Sequence, residues 1–399
     1  MRILDITNRV PYPAVTGAPL RTYNLLRRIA ARHEVFLAAF AENLEETEGA
    51  RFLEGMCRQV IAPAPGRAYS ALRVCRAAAY AMRGMPAELA LSYSREMMAR
   101  VRKLAREVDF DAIIIEHGSM GDYLNCVPIA QRKRAAWMLH DIDYKKFERI
   151  SRTEQSPLKS LRLRLHSAMM RRWMPRFAGR FGACITMSEA DCSALLSANR
   201  ELKVKVCPNG VDTNLCRPLP DPIGPPALLF VGNMGYGPNI DGAMYFCSEI
   251  LPIVRRSLPE VQVWIVGPNP PANLRRLACL DVHVTGRVTE LTPYYERCTA
   301  SIVPLRAGGG TRLKILESMA FARPVVSTSV GCEGLEVLNE KHLLIANHPE
   351  SFARNTLAIL LDQSVRKRLV ENARQLVVAR YDWDAIAEDL LNVLGAMSN

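Results

Sequence analysis

The 399-residue chain has no uninterrupted apolar run of about 18 residues or more, so the sequence predicts no membrane-spanning helix. Its 11 cysteines include no Cys-x-x-Cys pair, which excludes zinc-ribbon and dithiol-redox readings. Scattered in this way, they predict reduced, mostly buried thiols in a cytoplasmic protein. No RNP, KH, helix-turn-helix or zinc-finger pattern is present, so nucleic acid is not an expected partner. The N-terminal residues Ile3–Thr7 read as a first strand and not as a signal peptide. What remains is a composition of 49% hydrophobic and 23% charged residues, ordinary for a globular protein and long enough for two domains. The net charge of +12 is concentrated: residues 145–180 hold eleven Lys/Arg against two acids. That basic region suits a phosphorylated substrate or an anionic membrane surface.

The most informative stretch is 307–318, Ala-Gly-Gly-Gly-Thr-Arg-Leu-Lys-Ile-Leu-Glu-Ser, which follows an apolar strand pattern over 300–305. Gly308, Gly309 and Gly310 free the backbone to turn tightly and to approach a ligand. A helix is predicted from about Thr311, with Thr311 as its cap. At helical spacing Thr311, Lys314, Glu317 and Ser318 share a polar arc, while Leu313, Ile315, Leu316, Met319 and Ala320 form the buried side. A glycine loop and helix N-terminus at the carboxyl end of a strand are suited to phosphate. Lys314 adds charge, and Glu317 suits ribose hydroxyls. The competing reading is a flexible connector followed by a solvated helix face.

The segment running from Gly308 to Val337 resembles the C-terminal signature of GT-B glycosyltransferases of family 4, the subtype found in exopolysaccharide clusters. In that family a Glu-x7-Glu motif contacts the donor sugar and the ribose. Glu317 matches the second Glu, whereas the first falls on Gly309, so amides of the glycine loop are expected to substitute and the donor sugar is left open. The resemblance assigns donor contacts to Gly308, Gly309, Gly310, Thr311 and Glu317, and charge stabilisation of the leaving diphosphate to Arg312 and Lys314.

Residues 1–205 read as alternating strands and helices, with Leu20–Ala31 helical, Glu34–Phe40 a strand and 44–106 mostly helical. The turn after the first strand carries Gly17, which the resemblance places near the donor diphosphate. Strands are expected at 111–116 and 134–139, followed respectively by His117 and by His140-Asp141-Ile142-Asp143, which puts both histidines at one sheet edge. The family carries a histidine near the donor sugar at the position of His140, making it the stronger catalytic candidate. Of three Asp-x-Asp pairs, Asp109/Asp111 precedes a strand and Asp382/Asp384 fits a helix cap. Only Asp141/Asp143 falls beside the expected cleft, and no metal is expected in this family.

Leu158, Leu161, Leu165, Met169, Trp173 and Phe177 form a helical stripe with arginines between them. It predicts a packing helix, or else an interfacial helix at an anionic membrane. Ser188-Glu189 resembles the family's helix start after the strand at 182–187, and Pro208-Asn209-Gly210-Val211-Asp212 resembles its interdomain signature. Six prolines from Pro208 to Pro226 mark a linker. Beyond it, the loop after strand 228–231 lacks the G-x-G-x-x-G fingerprint, and Asn233 and Asn239 stand where the family usually has a basic pair. Strands are expected at 261–267 and 282–288, and the resemblance sets Arg287 and Val288 near the base.

The expectation is α/β, two facing Rossmann-like domains with a central cleft. Residues 1–207 form an acceptor-side domain, 208–226 a linker and 227–380 a nucleotide-sugar domain, with the helix at about 381–399 returning to the first. The implied function is retaining transfer of a hexose from a nucleotide diphosphate sugar to a hydroxyl of a lipid-linked glycan, without cofactor or metal. The protein is expected to be cytoplasmic, and peripheral on the membrane through 145–180. A sugar-nucleotide epimerase and a non-catalytic nucleotide-sugar or membrane-binding protein are the alternatives.

Overall fold

The computed structural model describes residues 1–14, 17–64, 71–82, 85–86, 88–154, 156–308 and 312–398. The chain divides into two compact units, Met1–Pro208 with Ile386–Asn399, and Asn209–Ala385.

The first unit is built on strands β1 (Arg2–Ile6), β2 (Glu34–Ala38), β3 (Gln59–Ile61), β4 (Ala112–Glu116), β5 (Ala135–Leu139), β6 (Ala183–Thr186) and β7 (Val204–Val206). They form one parallel sheet in the order β3-β2-β1-β4-β5-β6-β7. β4 and β5 are buried along their whole length, which is why β5 reads as an unbroken apolar run and β4 as one up to Ile115. Between them run α1 (Gly17–Ala30), α2 (Leu44–Leu53), α3 (Ala71–Met82), α4 (Glu88–Leu91), α5 (Arg95–Glu107), α6 (Asp143–Thr153), α7 (Pro157–Ala178) and α8 (Glu189–Ala198). Trp137, fully buried on β5, packs against Phe177 and Phe181 at the centre of this core. β3 is a short strand inside the segment expected to be mostly helical. Its three residues pair with β2, and so brief a stretch carries no periodic signal.

The second unit has β8 (Ala227–Val231), β9 (Gln262–Val266), β10 (Val282–Val284), β11 (Ala300–Val303), β12 (Val325–Ser327) and β13 (Leu344–Ile345), parallel in the order β10-β9-β8-β11-β12-β13. Its helices are α9 (Gly237–Tyr245), which passes through a π turn at Phe246–Ile250 into α10 (Leu251–Ser257), then α11 (Ala272–Arg275), α12 (Thr292–Arg297), α13 (Leu313–Ala320), α14 (Pro349–Leu361), α15 (Gln363–Arg380) and α16 (Trp383–Ser398). The end of α16 belongs to the first unit, where Arg32 pairs with Glu388.

Residues 209–226 of the expected linker fall within the second unit, where Leu219 N–H donates to the Phe321 carbonyl and the buried Arg323 guanidinium donates to the Leu219 and Pro220 carbonyls. The structure departs from expectation in two further places. The strand expected over 282–288 ends at Val284, because Gly286 adopts φ 76° and turns the chain. The apolar stripe of α7 is only half a core. Of its residues Phe177 is buried and Met169 and Trp173 are half-buried, while Leu158, Leu161 and Leu165 are 81%, 55% and 64% exposed; Met170 and Met174, next to the stripe, are buried.

Candidate active site

In an open parallel sheet the crevice for ligands opens where strand order reverses. The second sheet reverses between β8 and β11, and the two loops leaving those strands carry the candidate residues. After β11 the chain runs through Gly308, whose φ of 116° suits glycine, to α13. A Cβ on Gly308 would crowd Pro238 at 3.2 Å, so the loop lies tightly on the start of α9. Gly309, Gly310 and Thr311 lie outside the described residues. α13 starts at Leu313 with Arg312 in the N-cap position, and no side chain caps it there.

Lys314 and Glu317 share one face of α13, both half-buried. Lys314 Nζ donates to Asn239 Oδ1 at 2.9 Å and sits 4.5 Å from the centre of the Phe230 ring. Asn239 is held in turn by its Nδ2, which donates to the Asn233 carbonyl at 2.9 Å. Gly232 makes this possible: a Cβ there would lie 2.9 Å from Lys314 Nζ and 2.8 Å from Asn239 Nδ2. Asn239 thus holds Lys314 across the reversal point and is itself held by the Asn233 backbone.

Burial pushes the Lys314 ammonium down to about 7, with Arg312 adding to the effect, and burial pushes the Glu317 carboxyl up to about 7. Tyr295 Oη lies 3.5 Å from Glu317 Oε2. The site therefore holds an acid and a base both poised at neutral pH, a pattern of functional sites. Arg312 is 6% exposed and donates to the Val330 carbonyl at 3.2 Å, which fixes the end of the glycine loop. Ser318, expected on the polar arc, is buried. Its hydroxyl contacts Ser301 Oγ at 2.8 Å and donates to the Lys314 carbonyl at 2.6 Å, so it serves packing. Arg287, exposed, and Val288, half-buried against the core cluster that includes Ala227, Val266 and Tyr295, follow β10 at the same carboxyl edge.

The first sheet reverses between β1 and β4. There Glu116, the last residue of β4, is 2% exposed, and its Oε2 accepts from Thr22 Oγ1 at 2.5 Å, Thr7 Oγ1 at 3.3 Å and His140 Nε2 at 3.2 Å. His140 and His117 stack with ring centres 4.0 Å apart, so the two strand-end histidines do meet. His117 takes φ 69°, and its carbonyl accepts from Trp137 Nε1 at 3.1 Å. Gly17 opens α1 in exposed space, where a Cβ would meet nothing within 4 Å.

Sequence reasoning missed Glu116, which stood next to His117 but looked like the end of a strand; only the pairing of β4 with β1 and β5 brings Thr7 and His140 to it. Hydrogen bonding lowers the Glu116 carboxyl to about 2 against an opposing burial cost, with His140 the leading partner. Glu116, His117 and His140 offer three ligand atoms within 4.8 Å of one another, a geometry that could take a cation. Three hydrogen-bond donors already occupy Glu116 Oε2, so hydrogen bonding accounts for the cluster. The other acidic pairs are accounted for structurally. Asp111 accepts from Arg2 N–H at the amino edge of the sheet, and Asp382 accepts from Asp384 N–H at 2.7 Å as the cap of α16.

Comparison with known proteins agrees with this architecture. Residues 15–215 match the family described as Glycosyltransferase Family 4, and residues 225–362 match Glycosyl transferases group 1. The chain is 28% identical over 165 residues to an uncharacterized 44.6 kDa protein in the cps region of Klebsiella pneumoniae, covering 39% of this chain and 42% of that one. It is 26% identical over 249 residues to the phosphatidyl-myo-inositol mannosyltransferase of Mycobacterium leprae, covering 60% and 64%. The chain thus matches 42% and 64% of the length of these curated relatives. The Anabaena HepE structure in complex with UDP-glucose superposes with TM-score 0.65, covering 99% of this chain and all of that one; at 18% identity this likeness carries the fold. With two parallel Rossmann-like sheets of GT-B type and a family match over half its length, the chain belongs to glycosyltransferase family 4.

Proposed function

We propose that the protein transfers a hexose from a nucleotide diphosphate sugar to a hydroxyl of a lipid-linked glycan, with retention of configuration, in the synthesis of exopolysaccharide or another cell-surface polysaccharide. The observation that carries this reading is the Lys314–Glu317 face beyond Gly308, at the point where the second sheet reverses. A diphosphate beside Lys314 favours its ammonium form, and ribose hydroxyls donating to Glu317 favour its carboxylate. A donor therefore converts a pair poised near neutrality into the two charges its own groups need. Lys314, Arg312 and the loop amides at Gly308–Thr311 then stabilise charge on the departing diphosphate, with no metal required. The resemblance to the family assigns Gly17 to the donor diphosphate, His140 to the sugar, and Arg287 and Val288 to the base.

The UDP-glucose of the Anabaena structure makes a uridine donor the first to test. The lipid named in the mycobacterial relative supports a lipid-linked acceptor, and the capsule-region relative supports a surface polysaccharide. Among the described residues no helix is long and apolar enough to cross a membrane. The exposed Leu158, Leu161 and Leu165 lie beside Lys159, Arg162 and Arg164 on α7, a combination that suits peripheral contact with an anionic surface on the cytoplasmic side.

Calorimetric binding of UDP, GDP and ADP tests the site. One nucleotide binds, and Glu317→Ala weakens it at least about tenfold, the loss expected of one hydrogen bond to a charged group. Failure of a folded protein to bind any of the three refutes the reading. Incubation with donor alone separates the alternatives, since an epimerase returns an altered sugar.

A further inference from the structure

The geometry points to Glu116 as the positioning residue of His140: its carboxylate fixes the histidine as the tautomer with hydrogen on Nε2, leaving Nδ1 to act on the donor. This rests on the proposed role of His140 in donor chemistry and adds a residue to it.

Glu116 ends β4 at the reversal point of the first sheet, and its Oε2 is the meeting place of three segments. Thr7 follows β1, Thr22 lies on α1 and His140 follows β5. The two threonines can only donate to a carboxylate, so the third contact is a donor as well. That donor is His140 Nε2, which must then carry hydrogen. The stacked His117 restricts rotation of the His140 ring, and His140 keeps only 12% of its side chain exposed. A histidine held on one nitrogen by a buried carboxylate presents the other nitrogen in a defined direction, the usual way an outer group sets a working imidazole. Because Thr22 sits five residues after Gly17 on the same helix, the same carboxylate also anchors the helix that begins at the candidate diphosphate glycine.

The surrounding charges leave Glu116 in this role. Asp5 on β1, also buried, is pushed well above its ordinary value by burial and by the Glu116 charge, whereas its contacts hold Glu116 low. Cys57, near Asp5, is pushed up to about 12 by burial and stays a thiol. Arg21 on α1 donates to the Cys207 and Pro208 carbonyls.

Glu116→Gln is the informative variant. An amide oxygen in the place of Oε2 still accepts from the threonine hydroxyls, but the charge that favours hydrogen on His140 Nε2 is gone. Nitrogen-15 spectra of histidine-labelled protein, assigned with His140→Gln, read the tautomer directly without any donor. The expected result is hydrogen on Nε2 in the wild type and a mixture of the two tautomers in Glu116→Gln. Hydrogen on Nδ1 of wild-type His140 overturns the proposal, whether or not the variant folds. With UDP-glucose as probe, Glu116→Gln lowers turnover about 10- to 100-fold while UDP affinity is unchanged, and adds no further loss in a His140→Ala background. Equal additional losses in both backgrounds overturn the proposal too. Absence of turnover in the wild type counts against the donor reading, while the tautomer still decides the role of Glu116.

Discussion

Replacing Glu317 with Gln is expected to stabilise the ligand-free protein at alkaline pH and to leave it nearly unchanged in acid. Glu317 ionises at about 7 in the folded protein against 4.5 for an ordinary glutamate. Between those values the unfolded chain has released its proton and the folded chain has not. Wild-type stability therefore falls as pH rises from about 4.5 to about 7, and the penalty is complete above that. The full gap is worth about 3.4 kcal/mol at about 1.36 kcal/mol per pH unit. Glu317 is only half-buried, and solvent screening reduces this to about 1–2 kcal/mol. For a unit of this size that is a rise of roughly 2–8 °C in melting temperature at pH 8. Lys314 moves oppositely: its ammonium falls to about 7 from 10.5, so its cost is present below pH 7 and disappears as pH climbs toward 10.5. Comparing wild type with Glu317→Gln at pH 5 and pH 8 by scanning calorimetry isolates the glutamate. A melting difference that does not change with pH refutes the buried, poised carboxyl. Nucleotide binding should show the converse, because the group that costs stability when free is the one proposed to engage the ribose.

Arg323→Met is expected to cost about 3 kcal/mol, seen as a lower urea midpoint, because the buried guanidinium donates to the carbonyls of Tyr295, Leu219, Pro220 and Ala322, all of which lose a partner. An unchanged midpoint refutes its role in tying 208–226 to the second unit. Donor turnover should be insensitive to EDTA if charge compensation comes from Lys314 as proposed; a requirement for divalent metal redirects attention to Glu116, His117 and His140. Changing Leu158, Leu161 and Leu165 together to Ser should weaken binding to phosphatidylglycerol vesicles at least about tenfold without lowering the melting temperature, because these side chains already face solvent. A lower melting temperature would return the stripe to the core.

Much of this was legible in the residues. The buried strands β5 and β8 showed as continuous apolar runs, and β4 and β11 as runs interrupted only by Glu116 and Ser301, the pattern of a doubly covered parallel sheet. The histidines after β4 and β5 were placed at one sheet edge by counting, and they stack. Lys314 and Glu317 were placed on one helix face by periodicity. Ser318 fell on the same arc and turned out buried against Ser301, because the face a helix turns to its sheet is set by packing and not by residue polarity. The half-exposed stripe of α7 illustrates the same limit: spacing predicts which residues share a side, and only the neighbours determine whether that side is covered.

What the sequence by itself determined is therefore whatever depends on local order: strand and helix type, the glycine loop, the spacing that aligns Lys314 with Glu317, and the absence of an apolar span. What only the tertiary structure decided depends on strand pairing and burial. The Glu116 network joins residues from β4, α1 and the loops after β1 and β5, up to 109 positions apart, and Asn239 meets Lys314 across 75 positions. No local pattern records such contacts. The poised state of Lys314 and Glu317 has the same origin, since loss of water around them comes from the fold that surrounds them.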